Sequence, residues 1–156
     1  MADEKSARAR RVYDTLNATL DALEWKHTRD DEQLTIECVA RGDDLPMEIE
    51  VNIDTDRQLI ILLSQLPIVV PEEKRLDTAI AATIVNNKLA DGSFDFNIKD
   101  GHMFFRMTSS FIESDIGSEL LEYMLFCSCQ TIDDFNDKFV MLGKGLLSIE
   151  NFILDN

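Results

Sequence analysis

Positive charge is scarce in this chain, with 15 Lys and Arg against 30 Asp and Glu, a net charge of −15 over 156 residues. The basic residues that exist are concentrated early. Met1 to Arg29 holds Lys5, Arg8, Arg10, Arg11, Lys26 and Arg29 against five acids, so nearly all of the negative charge belongs to the remainder. A body of that sign repels phosphate backbones and anionic bilayers, which excludes nucleic acid and membrane surfaces as expected partners. Long apolar runs are also missing. The longest, Leu59 to Leu63, is far short of the roughly 20 residues that span a bilayer. No apolar stretch follows the basic residues at the N-terminus, as a secretory signal would require, so a cytoplasmic location is expected.

Cysteine comes as an odd three, Cys38, Cys127 and Cys129, which fits free thiols in a reducing compartment. Cys127 and Cys129 fall in a helical pattern, where residues two apart point about 200° away from each other and cannot easily chelate one ion. Histidine is limited to His27, in a loop after the first helix, and His102, at a hairpin exit. They share no obvious acid partner, so neither is a good general acid or base. Ser109 and Ser110 lack the Gly-x-Ser-x-Gly turn that presents a nucleophile. Gly143-Lys144-Gly145 lacks the upstream glycine and the Ser or Thr of a phosphate loop and reads as a helix break. Asp133, Asp134, Asn136 and Asp137 lie on a helix without the alternating ligands and glycine of a calcium loop, and of Asp91, Asp95, Asn97 and Asp100, spaced along a turn and strand four, Asp95 and Asn97 belong to an exposed strand face. The sequence therefore offers no catalytic, cofactor-binding or metal-binding set.

What is present is a clear order of amphipathic segments in a chain of one-domain size, residues 1–156. Val12, Leu16, Leu20 and Leu23 share one face of a helix from about Ser6 to Trp25. Three strands follow. Leu34, Ile36, Cys38 and Ala40 alternate with polar residues, and after a Gly42–Pro46 turn Met47, Ile49, Val51 and Ile53 alternate with Glu48, Glu50, Asn52 and Asp54. The third, Gln58 to Leu66, breaks alternation because Leu59 to Leu63 is apolar on both faces. A second helix opens after Pro71, with Glu72 and Glu73 in its first turn and an apolar stripe of Leu76, Ala79, Ile80, Thr83 and Ile84. Phe94, Phe96 and Ile98 form strand four, and Asp100-Gly101 predicts a type I′ hairpin into a fifth strand with large apolar groups on both sides. From Ser118 a near-heptad seam of Leu121, Leu125, Ile132, Phe135, Phe139 and Leu142 predicts a long helix lying on the domain's own sheet, and Ser148 to Leu154 a short last one. Arg106 interrupts the fifth strand and is read as the partner of an acid on a neighbouring strand.

The stretches Val69-Val70-Pro71-Glu72-Glu73-Lys74-Arg75-Leu76, Leu89-Ala90-Asp91-Gly92-Ser93-Phe94 and Phe104-Phe105-Arg106-Met107-Thr108-Ser109-Ser110 together resemble the bacterial YbjN-like domain family, over roughly Leu34 to Ile153. The resemblance implies the α-β-β-β-α-β-β-α order of type III secretion chaperones and a tendency to homodimerise, and it carries no catalytic positions. The expectation is an α+β fold, an antiparallel sheet packed with helices, acting as a non-enzymatic, chaperone-like homodimer that holds a segment of a client protein. A small regulatory or ligand-sensing domain is the alternative. The two-sided strands require a helix or another chain over their second face, and Ile60, Leu62, Phe104, Met107 and Arg106 are the candidate partner or dimer surface.

Overall fold

A computed structural model describes all 156 residues. The chain forms α1 (Ala2–Ala22), β1 (His27–Asp30), β2 (Thr35–Arg41), β3 (Pro46–Asp54) and β4 (Leu59–Val69). A 3₁₀ turn (Glu72–Lys74) then leads to α2 (Arg75–Asn86), β5 (Ser93–Phe96), β6 (His102–Ser110), α3 (Ser118–Gly143) and α4 (Ile149–Asp155). The six strands make one sheet in the order β1-β2-β3-β4-β6-β5, antiparallel throughout. The α+β class and the antiparallel sheet packed with helices are those expected from the sequence.

β3 fixes which side of the sheet is inside. Met47, Ile49, Val51 and Ile53 are at most 3% exposed, and the intervening Glu48, Glu50, Asn52 and Asp54 turn the other way. Directly opposed residues in an antiparallel pair share a face, so the register Val51↔Leu62 and Ile53↔Ile60 carries the inner face to β4. Leu62↔Met107 and Ser64↔Phe105 carry it on to β6. Against this face lie Ala9, Val12, Tyr13, Leu16 and Leu20 of α1 and Leu121, Leu125, Ile132 and Phe139 of α3. Phe94, Phe139 and Phe152 stack in sequence with centroids 4.9 and 5.7 Å apart, which ties α4 to the same core. α3 contacts β4, β6 and the other three helices, so the heptad-like seam is spent inside the chain, as expected. The helices that pack on the sheet share this side.

Four local expectations need correction. His27–Asp30, read as loop, is an edge strand paired with β2. Its four residues are too few and too polar to show alternation, and the chain reaches it because Glu24 takes φ +58° while Trp25 N–H donates to Leu20 O at 2.9 Å, ending α1 before Trp25. The β5–β6 connection is not a two-residue type I′ turn, which needs two successive positive φ values. Only Gly101 has one (+82°), and a five-residue loop, Asn97 to Gly101, closes with Gly101 N–H donating to Asn97 O at 2.8 Å and leaves Ile98 outside the strand. Leu34 and Gln58 also have positive φ, so β2 and β4 each begin one residue later than the pattern suggested. In α2 the buried residues are Thr78, Ala81, Ala82 and Val85, while Leu76 and Ile80 are 65% and 41% exposed. Small side chains let this helix approach β5, α3 and α4 closely, and the bulkier residues are displaced outward.

Candidate protein-binding surface

The second face of the sheet has no helix over it. Its residues follow from the register: Thr28 opposite Glu37, Glu37 opposite Glu50, Glu50 opposite Leu63, and Leu63 opposite Arg106. A neighbouring row holds Val39 opposite Glu48 and Gln65 opposite Phe104, and a third runs Asn52, Ile61, Thr108. Leu59, Ile61, Leu63 and Phe104 are half-buried and Val39 is 61% exposed, so a broken apolar strip crosses the face. A shallow, open depression of about 900 Å³ runs from Thr28 on β1 across to Phe104 on β6.

The five candidate surface residues therefore divide. Ile60, Leu62 and Met107 are 0%, 1% and 4% exposed and belong to the core beneath the helices, so they cannot offer a surface. Phe104 and Arg106 lie on the open face. The physical reason is the period of two along a strand: a residue and its immediate neighbour cannot share a face. The residues missed are Leu63, Ile61 and Val39. Two signals could have found them. The clean alternation of β3, transmitted through the Asp54–Arg57 turn, sets the parity of β4, and the charge on Arg106 marks Phe104, two residues away, as facing outward.

Polar groups on the open face are mostly occupied at its β6 side. Arg106 Nε lies 2.7 Å from Asp95 Oδ2, the acid on the neighbouring strand expected for it, and Ser93 Oγ donates to the same carboxyl group at 2.8 Å. Gln65 Nε2 donates to His102 Nδ1 at 2.9 Å. The β2–β3 side is different. Glu37, Glu48 and Glu50 are exposed, and none takes part in any of the chain's ion pairs.

Nothing elsewhere assembles into a reaction centre. His27 is half-buried, with Nδ1 donating to Trp25 O at 2.9 Å and Nε2 lying 3.1 Å from Asn17 Oδ1, and its strand β1 is four places from the β6 of His102 in the sheet. Burial pushes the Cys38 thiol up to about 11, and burial, with smaller contributions from Cys38 and Asp133, does the same to Cys129. Such thiols carry almost no thiolate near neutrality and are poor nucleophiles. Of the acids that suggested calcium, Asp133 accepts the Asp43 N–H at 2.9 and 3.0 Å and pins the β2–β3 turn to α3. Asp91 accepts from Tyr123 Oη, Asp95 holds Arg106, and Asp100 accepts the His102 N–H. No three His, Cys, Asp or Glu side chains converge as metal ligands.

Residues 13–141 match the family model YbjN, described as "Putative bacterial sensory transduction regulator". The chain belongs to the YbjN family. The crystal structure of YbjN from E. coli superposes with a TM-score of 0.58 at 14% identity, covering 78% of this chain and 86% of that one. A chain of the HopA1–SchA chaperone–effector complex superposes at 0.54, again with 14% identity, over 83% of this chain and 95% of the other. At such identity these two likenesses show the shared fold alone. No curated protein matches the sequence. No helix is long and apolar enough to cross a membrane.

Proposed function

We propose that this YbjN-family chain is a non-enzymatic, chaperone-like binding module, acting in the cytoplasm as a homodimer, that holds a segment of a partner protein on the open face of its sheet. The observation that carries the reading is the apolar strip of Val39, Ile61, Leu63 and Phe104 on a sheet face that no element of the chain covers. Exposed apolar groups gathered on one face and rimmed by charge are a common mark of a protein interaction site. The fold shared with a chain of a chaperone–effector complex supports the same role. Strand addition at an edge is the weaker route, because β1 and β5 are four residues each and β1 reads His-Thr-Arg-Asp, a short charged edge of the kind that discourages pairing.

The homodimer finds support elsewhere on the surface. Leu76 and Ile80 project from one side of α2, one turn apart and exposed, while the acidic open face repels its own copy. A small-molecule sensor is disfavoured by the shape of the depression, which is broad and open where ligand sites enclose most of their ligand. The test is co-purification of the tagged protein with mass spectrometry and light scattering. Leu63→Asp with Phe104→Asp removes a stoichiometric partner while circular dichroism stays native, and Leu76→Asp with Ile80→Asp converts a dimer to a monomer that keeps the partner. An unchanged partner with the first pair of substitutions contradicts the reading.

A further inference from the structure

Resting on the open-face reading above, we infer that the segment held there is a positively charged amphipathic helix, lying across the strands with its apolar stripe on Val39, Leu63 and Phe104 and its Lys or Arg side chains over Glu37, Glu48 and Glu50.

The first support is dimensional. The depression crosses five strands, β1, β2, β3, β4 and β6, a span of about 19 Å at normal strand spacing. About 13 residues of α-helix cover that distance. The second concerns backbone hydrogen bonds. Thr35–Cys38 of β2, Glu50–Asn52 of β3 and Leu59–Leu63 of β4, the middle of the face, are paired on both sides by neighbouring strands, so there the face offers an occupant only side chains. An extended segment laid on it would bury its own N–H and C=O groups unpaired, whereas a helix satisfies them internally.

The third support is charge, and it selects among occupants. Glu37 stands directly opposite Glu50, and Glu48 precedes Glu50 by two residues on the same face. Like charges directly opposed are destabilising, and none of the three carboxylates has a cation of its own chain in an ion pair. Lys26 and Arg41, the cations of the depression, stand before β1 and at the end of β2. On the far side Arg106 is already neutralised by Asp95, so the unmet charge is negative and central. A second copy would bring the same carboxylates to this face on a body of −15. A basic helix relieves the repulsion as it buries the strip.

The experiment is fluorescence anisotropy with two synthetic peptides of about 14 residues, sharing one leucine stripe and carrying lysine or glutamate on the other face. The lysine peptide binds and the glutamate peptide does not. Glu37→Gln, Glu48→Gln and Glu50→Gln together weaken the lysine peptide roughly tenfold. Asp14→Asn, Glu119→Gln and Glu150→Gln, which remove the same charge from exposed positions on the helices, change it by less than about twofold. Equal weakening by the two triple variants overturns the inference, because the attraction is then to net charge alone. Binding of both peptides, abolished by Phe104→Ser, overturns the basic preference and leaves the open face a protein-binding site. Binding of neither peptide overturns the inference, and if Phe104→Ser then dissociates a homodimer, the open-face client reading falls with it.

Discussion

The two faces of this sheet are made of interleaved residues from the same strands, yet they answer to different physics. On the inner face Ile60, Leu62, Phe105 and Met107 are sealed under α1 and α3, and their burial is a large part of what holds the fold together. On the outer face Ile61, Leu63, Phe104 and Arg106, each one residue away, meet solvent at least in part. Hydrophobic stabilisation follows the area removed from water, so neighbours in sequence differ sharply in what they contribute. The lesson is that an apolar residue at a strand position says little until its parity is known.

Substituting neighbours across the two faces gives the sharpest contrast. Leu62→Asp places an unpaired carboxylate in the core and abolishes cooperative folding, while Leu63→Asp leaves a folded protein, as read by circular dichroism and urea titration. Phe105→Ala costs about 3–5 kcal/mol in urea denaturation, and Phe104→Ala about 1 kcal/mol or less. Equal losses at 104 and 105 would mean that the outer face is packed in solution by something absent from the single chain.

The alkaline side of the pH dependence reports on cysteines packed on the inner face. Cys38 and Cys129 have folded pKa values of about 11, raised from an ordinary value of 9.0 by burial. A raised pKa contributes stability that is full below the unfolded value and is lost as the pH climbs toward the folded one. Stability therefore declines between about pH 9 and 11, and Cys38→Ala with Cys129→Ala flattens that decline in thermal unfolding. Two smaller effects complete the series. Asp133→Ala frees the β2–β3 turn from α3 at about 1 kcal/mol, since it removes a charge-assisted bond to the Asp43 amide at a partly exposed site. Arg106→Ala breaks a half-exposed ion pair on the outer face and costs less than about 1 kcal/mol.

Much of the fold was legible in the residues. Alternation in β3, the long seam of α3 and the Gly143–Gly145 break all follow from periodicity or glycine, and the Arg106–Asp95 pair from a lone charge in an apolar strand. What escaped has identifiable causes. β1 is too short to display a period. The face of α2 that packs is made of threonine, alanine and valine, a weaker hydropathy signal than the leucine and isoleucine it leaves exposed. The candidate surface was half legible: β4 is apolar on both sides, so no alternation within it distinguishes Leu62 from Leu63, and only its pairing with β3 does.

The most direct test of the account is photo-crosslinking in the native cells, with a photoreactive phenylalanine analogue in place of Phe104 on the open face or Phe126 on the outer surface of α3. A single partner adduct at position 104, mapped to a basic amphipathic segment and missing at 126, is the result predicted. An adduct at 126 with none at 104 would contradict it and move the binding surface to the helices.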